Sequence, residues 1–173
     1  MKFLINTEIG LFGIWDIHAL DFVTDFDIYS KTFVNNSGIV KVMKDKNIAV
    51  WGTGGDGIRT VELRINQELD LNIKEREHLE IESDKYKLLV TSGELVIGSL
   101  EWAGAAQTKG LVDQDSGLKK IDIENGIYSV KVYFLYWDTE SEEYNDEPEF
   151  IVVIKKCDED EIFSEDLQFE TLG

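Results

Sequence analysis

The sequence predicts a mainly β fold: a single antiparallel, sandwich-like domain with one or two short helices. Three observations carry this expectation. Several segments alternate apolar and polar residues with the period of two that a half-buried strand requires. Turn-forming pairs, Ser92-Gly93 and Asn125-Gly126, separate such segments. Helical stripes are few and short. A length of 173 residues suits one domain that buries a core without disulfide or metal staples. At 43% hydrophobic and 11% aromatic residues, the chain is too apolar to stay disordered.

The elements follow in order. Phe3–Ile5 and Ile9–Trp15 read as extended. Ala19–Lys31 places Phe22, Val23, Phe26 and Tyr29 near helical spacing, with Asp16 or Asp21 near its start. Ile39–Met43 and Ile48–Trp51 are strand candidates. In Ile58–Ile65, Val61, Leu63 and Ile65 share one face, and Thr60, Glu62 and Arg64 the other. Between these strands, Gly52, Gly54 and Gly57 spell G-x-G-x-x-G. A dinucleotide site needs a helix after that turn, and a strand follows here, so a glycine-rich hairpin connection is expected. Asn66–Glu80 carries a weak helical stripe of Leu69, Ile73, Arg76 and Glu80.

Tyr86–Thr91 and Glu94–Ile97 flank Ser92-Gly93 as a hairpin. Gly98–Gly117 is rich in small and polar residues and reads as a long loop, with a helical turn at Trp102–Gln107. Leu118–Glu124 and Ile127–Trp137 flank Asn125-Gly126, a pair suited to the positive φ values of a type I′ hairpin turn. Tyr128, Val130, Val132, Phe134 and Tyr136 line one face of the second strand. Its other face changes from Ser129 and Lys131 to Tyr133, Leu135 and Trp137, as in a strand leaving a sheet edge for the interior. Phe150–Ile154 is apolar on both faces, as a central strand is. The expected division is a β domain over 1–157 and an acidic tail over 158–173.

Charge is the strongest functional signal. The chain has a net charge of −18, which argues against nucleic acid as a partner because phosphates would be repelled. Residues 1–137 hold 21 acids and 15 bases, while residues 138–173 hold 14 acids and two bases. Two-thirds of the excess therefore lies in the last 36 residues. Asp138, Glu140, Glu142, Glu143, Asp146, Glu147 and Glu149 fall in one connection between two strong strands, together with Tyr144 and the single proline, Pro148. Concentrated charge steers a basic protein partner, and an aromatic among acids offers an anchor. A solvated loop and tail that keep the protein soluble remain the alternative.

Other constellations are thinner. Asp16 and His18, followed by Asp21, Asp25 and Asp27, contain groups for a metal or a general base, although a capping or partly buried role suits His18 better. His78 has no partner visible in sequence. Asp113-Gln114-Asp115-Ser116-Gly117 with Glu124 twelve positions along resembles a calcium loop, but its glycine falls at the fifth position and a strand follows. Trp102 and Trp137 are candidates for an aromatic ligand site. The G-x-S-x-G, Walker and H-E-x-x-H patterns do not occur. No cofactor, metal or catalytic residue is assigned. One cysteine, Cys157, excludes an intrachain disulfide framework. The N-terminal apolar run is three residues, and no stretch approaches the ~20 of a membrane helix, so a cytoplasmic protein with no membrane partner is expected.

Two resemblances add to this. The stretch Ala49–Gly57, followed by Val61 and Leu63, looks like a group of uncharacterised bacterial proteins with a T-G-G-D-G turn and a late N-G-x-Y-x-V strand, here Asn125–Val130. The second half is similar to the competence protein J family of small bacterial nuclease inhibitors. The likeness lies in Val90–Gly98 (V-x-S-G-x-L-x-I-G) and Gly126–Val130 (G-x-Y-x-V). The first implies a shared fold, and the second an acidic inhibitor of a basic enzyme. The reading is a non-enzymatic acidic interaction protein, of inhibitor or immunity type. The alternative is a small-ligand or carbohydrate-binding β domain using Trp102 and Trp137. Sequence leaves the oligomeric state open.

Overall fold

A computed structural model describes residues 1–104, 118–137, 147–158, 163 and 168–172. Its strands are β1 (Lys2–Thr7), β2 (Leu11–Asp16), β3 (Ala49–Gly52), β4 (Gly57–Ile65), β5 (Leu79–Glu82), β6 (Tyr86–Val90), β7 (Glu94–Ser99), β8 (Leu118–Asp122), β9 (Gly126–Leu135) and β10 (Phe150–Cys157). The helices are α1 (Phe26–Phe33), α2 (Asn36–Lys46) and α3 (Ile73–Glu77), and Leu100–Trp102 forms a 3₁₀ turn. The mainly β sandwich expected from the sequence is what forms. One sheet runs β1-β4-β10-β9-β5, with β6 also paired to β9; the other runs β3-β2-β7-β8. All pairings are antiparallel except β4 with β10, which is parallel. Among the described residues no helix is long and apolar enough to cross a membrane.

Alternation builds the interior. Ile5, Val61, Leu63, Val130, Val132, Phe150 and Val152 of the first sheet join Phe12, Ile14, Trp51, Leu95 and Ile97 of the second in one buried cluster. Phe12 sets its ring edgewise to both Trp51 and Phe150, at 6.1 Å from each, and so ties the two sheets together. Trp15, Val50 and Val96 point the other way yet are buried in the same cluster, with Leu20, Val23, Phe33, Ile39, Val42 and Met43. The β2–β3 connection therefore covers the outer face of the second sheet.

The helices depart from the sequence reading at their ends. α1 begins at Phe26, because the Asp25 carboxylate accepts from the Ile28 N–H; neither Asp16 nor Asp21 caps it. Ile39–Met43 lies inside α2 and is not a strand. Asn35 caps that helix onto the Gly38 N–H, Asn47 ends it in the left-handed region at φ 48°, and Ile39, Val42 and Met43 bury one helical face. The weak stripe at Asn66–Glu80 reduces to α3, started by a capping box between Asn72 and Glu75.

The predicted hairpins are corrected. β6 and β7 belong to different sheets, and so do β8 and β9, and β3 and β4. Each connection, like the one from β1 to β2, is a corner that carries the chain across the sandwich. Gly126 has φ 156°, outside type I′ geometry, and a Cβ there would stand 3.0 Å from the Lys156 Cε. The corners meet in pairs. Thr53 donates to the Gly10 carbonyl at 2.9 Å at one end of the sandwich, and Ile123 to the Gly93 carbonyl at 2.9 Å at the other. The outer face of β9 does not leave an edge either. Tyr133, Leu135 and Trp137 join Ile151, Val153 and Leu71 in a second, smaller cluster on the outside of the first sheet.

Asp16 fastens the second end. Its Oδ2 accepts from the Thr91 and Ser92 N–H groups at 2.7 and 2.9 Å, and its Oδ1 from the His18 N–H at 3.0 Å. Burial alone would raise this carboxyl, but those N–H donors outweigh it and hold the group below its ordinary value of 3.8. Its stabilisation is therefore present above the unfolded pKa and is lost as pH falls through the lower folded value. Asp16→Asn points an amide at N–H donors on one side. We expect a loss of about 1–3 kcal/mol at pH 7 in urea unfolding, with a shallower acid limb. Equal stability of the two proteins would contradict this role.

The terminal acidic stretch is in part built into the fold. Gly52 donates to the Glu170 carbonyl and Leu172 to the Gly52 carbonyl, at 2.8 and 2.9 Å, so residues 170–172 line the β3 edge. The Glu170 carboxylate also accepts from the Tyr86 hydroxyl at 2.5 Å.

Candidate interaction face

The acidic connection between β9 and β10 has two stems, and the structure clamps both. On the entry side, Tyr136 donates its N–H to the His78 carbonyl at 3.0 Å, and His78 Nδ1 donates to the Tyr136 carbonyl at 3.2 Å. The Trp137 ring lies against the His78 ring with centroids 4.4 Å apart, and Lys74 Nζ sits 5.5 Å from the Trp137 ring. On the exit side, Glu147 accepts from Lys74 at 2.9 Å and faces Lys2 at 3.6 Å. Those cations, Lys74 first, hold the Glu147 carboxyl below its ordinary value against its partial burial. Glu149 accepts from Arg59 Nη1 and from the Thr60 N–H, each at 3.1 Å.

The stems are also tied to each other. The Trp137 indole N–H donates to the Pro148 carbonyl at 2.8 Å, and Leu135 donates to the Glu149 carbonyl at 2.8 Å. Beneath them, α3 is bolted to the first sheet. Arg64 Nη1 and Nη2 fork onto the Glu75 carboxylate at 3.0 and 2.5 Å, with both side chains buried. Arg64 also donates to Glu62 at 3.0 Å and to the Asp70 carbonyl at 2.5 Å. Burial would raise the Glu75 carboxyl, but Arg64 and the Asn72 N–H bring it below its ordinary range.

Residues 138–146 lie outside the described residues, and so do the predicted partner contacts Asp138, Glu140, Glu142, Glu143, Tyr144 and Asp146. Glu147 is described, and its charge is matched within the fold by Lys2 and Lys74. Among the described residues Tyr136 is an exposed aromatic beside the stems, at 63% exposure, although the sequence sets it on the same strand face as Tyr128, Val130, Val132 and Phe134. β9 ends at Leu135, so the alternation stops one residue short of it.

The other candidates separate. Trp102 is half-buried against the main cluster, whereas Trp137 is 5% exposed in the outer one, so they share no site. Asp16 is a corner fastener. His18 is exposed and pairs with Asp21 at 3.0 Å. Asp25 is a helix cap, and Asp27 lies in the first turn of α1. Residues 113–117 of the calcium-loop pattern lie outside the described residues, and Glu124 pairs with Lys156 at 2.8 Å. Among the described residues no group of three or more His, Cys, Asp or Glu is placed to hold a metal.

No protein-family model matches the chain, and no curated protein sequence does. Two solved structures are similar to it. One is ComJ of Bacillus subtilis, inhibitor of the DNA degrading activity of NucA. It superposes with a TM-score of 0.55 at 12% identity, over 91% of this chain and 96% of that one. The other is the product of crocagin biosynthetic gene J, at a TM-score of 0.48 and 11% identity, over 91% and 99%. At such identity the first comparison shows a shared fold.

Proposed function

We propose that this protein is a non-enzymatic inhibitor-type interaction protein that covers a basic surface of a protein partner with its β9–β10 connection. The observation that carries the reading is the clamp. Lys2, Lys74 and Arg59 match the charges of the stem residues Glu147 and Glu149. The five acids between the stems, Asp138, Glu140, Glu142, Glu143 and Asp146, then carry the excess on a short segment with fixed ends. Fixed ends lower the entropy lost on binding, and concentrated charge speeds encounter with an oppositely charged surface. The likeness in fold to ComJ supports the class, because that protein inhibits a nuclease activity.

The test is capture from lysate of the source cell on immobilised protein at low and high salt. We expect a basic protein to be retained at low salt and released at high salt, where screening shortens the reach of surface charge to about 3 Å at 1 M. Retention of acidic proteins, or of a partner indifferent to salt, would contradict the proposal.

A further inference from the structure

A groove of about 370 Å³ opens between the β1–β2 corner, the start of α1 and the turn after β7. Ile9, Val23 and Ala103 form apolar walls. Phe26 and Tyr29 stack within it, with centroids 6.3 Å apart and planes at 22°. Phe26 is 76% exposed, an unusual position for a phenylalanine. The carboxylates of Asp25 and Glu101 also line the groove, and none of its described lining residues is basic. Asp25 is held by the Ile28 N–H at 2.9 Å, and Glu101 by the Glu8 N–H at 2.9 and 3.1 Å. The Thr24 hydroxyl adds a second donor to Asp25 at 3.4 Å and the Thr7 hydroxyl one to Glu101 at 3.5 Å, and among the described contacts each carboxylate keeps acceptor capacity for a further donor. Glu8 and Asp27, next in the chain to lining residues, add two more acids.

These features specify the guest. Apolar walls suit an aliphatic stem, and stacked rings suit a planar delocalised cation lying on them. Oriented carboxylates suit a forked donor. A guanidinium meets all three requirements, whereas an ammonium is a compact, strongly hydrated charge. The volume is at the low end for ligand sites, enough for one long side chain. The position fits as well. Thr7, two residues before Ile9, pairs with Gly57 at the start of β4, and Glu149 binds Thr60 three residues along that strand, about 10 Å from Gly57.

We propose that this groove receives an arginine side chain of the basic protein partner, beside the acidic connection; this rests on the function proposed above. The test needs no partner. Gly-Arg-Gly amide is titrated into the full chain while the aromatic NMR resonances of Phe26 and Tyr29 are followed. Gly-citrulline-Gly amide serves as the neutral isostere. The arginine peptide produces saturable shifts, with the citrulline peptide at least about tenfold weaker.

Phe26→Ala removes a ring already in solvent, so the fold survives, and binding weakens about three- to tenfold. Glu101→Gln erases most of the preference for arginine over citrulline. Absent shifts, equal responses to the two peptides, or tighter binding of tetramethylammonium than of the arginine peptide would each overturn the proposal. Failure here leaves partner capture by residues 138–146 intact. Failure of capture leaves the peptide titration readable.

Discussion

Replacing Glu75 by alanine is expected to cost about 3 kcal/mol of folding stability, read as a lower urea midpoint at pH 7. The change does three things at once. It removes both arms of the fork from Arg64, whose side chain is only 9% exposed. It opens the capping box with Asn72, which started α3. It also frees α3 from the outer face of the first sheet, where Lys74 helps clamp Trp137 and Glu147. Arg64 keeps Glu62 and the Asp70 carbonyl, which places the cost at the lower end of the range for breaking a buried pair.

Glu75→Gln retains an acceptor for the Asn72 N–H and is expected to cost about half as much. Replacing both partners, Arg64→Met with Glu75→Leu, should cost less than Glu75→Ala alone, because no buried charge is stranded. The pH profile follows from the sign of the shift. The lowered carboxyl of Glu75 stabilises the fold above its ordinary value of 4.5, and this is lost as pH falls through the folded value. A double variant less stable than Glu75→Ala would contradict this account of the pair.

The strands were legible because burial on one face leaves a period of two. Val61, Leu63 and Ile65 read correctly, and Phe150–Ile154 is a central strand between β4 and β9. The change of face along β9 was also a true signal, since Tyr133, Leu135 and Trp137 build a second cluster. Its cause lay elsewhere in the chain, in Leu71 and Leu79 brought over by α3.

Strand partners were not legible. Ser92-Gly93 and Asn125-Gly126 mark chain reversals, and turn chemistry does not distinguish a hairpin from a corner between sheets. That choice depends on ladders such as β6 on β9 and β7 on β2, formed with residues far away in sequence. Asp16 shows the same limit, for its bonds to Thr91 and Ser92 span 75 and 76 residues. Ile39–Met43 failed for a local reason, because β-branched composition outweighed the caps at Asn35 and Asn47. At the candidate face, the acidity of the connection was legible and its clamp was not. Lys74 with Glu147 and Arg59 with Glu149 join residues 73 and 90 apart.

Reversing Glu140, Glu142, Glu143 and Asp146 to lysine is expected to slow association with the captured basic partner by about 10–10³-fold at low ionic strength. Glu147 and Glu149 are left untouched, because they neutralise Lys2, Lys74 and Arg59 and hold the stems. The substituted positions lie between the clamped stems, so the unfolding free energy from urea titration should stay within about 0.5 kcal/mol of the parent. A control carries four reversals at the terminal acids Asp158, Glu159, Asp160 and Glu161, with the same total change in charge.

The decisive measurement is the association rate of the three proteins across a range of ionic strength. The account predicts that reversal between the stems abolishes both the fast association and most of its salt dependence, while the terminal variant keeps the larger part of each. Equal slowing by the two variants would mean that overall charge, and not the clamped connection, attracts the partner. Unchanged rates in both would remove the acidic interface altogether.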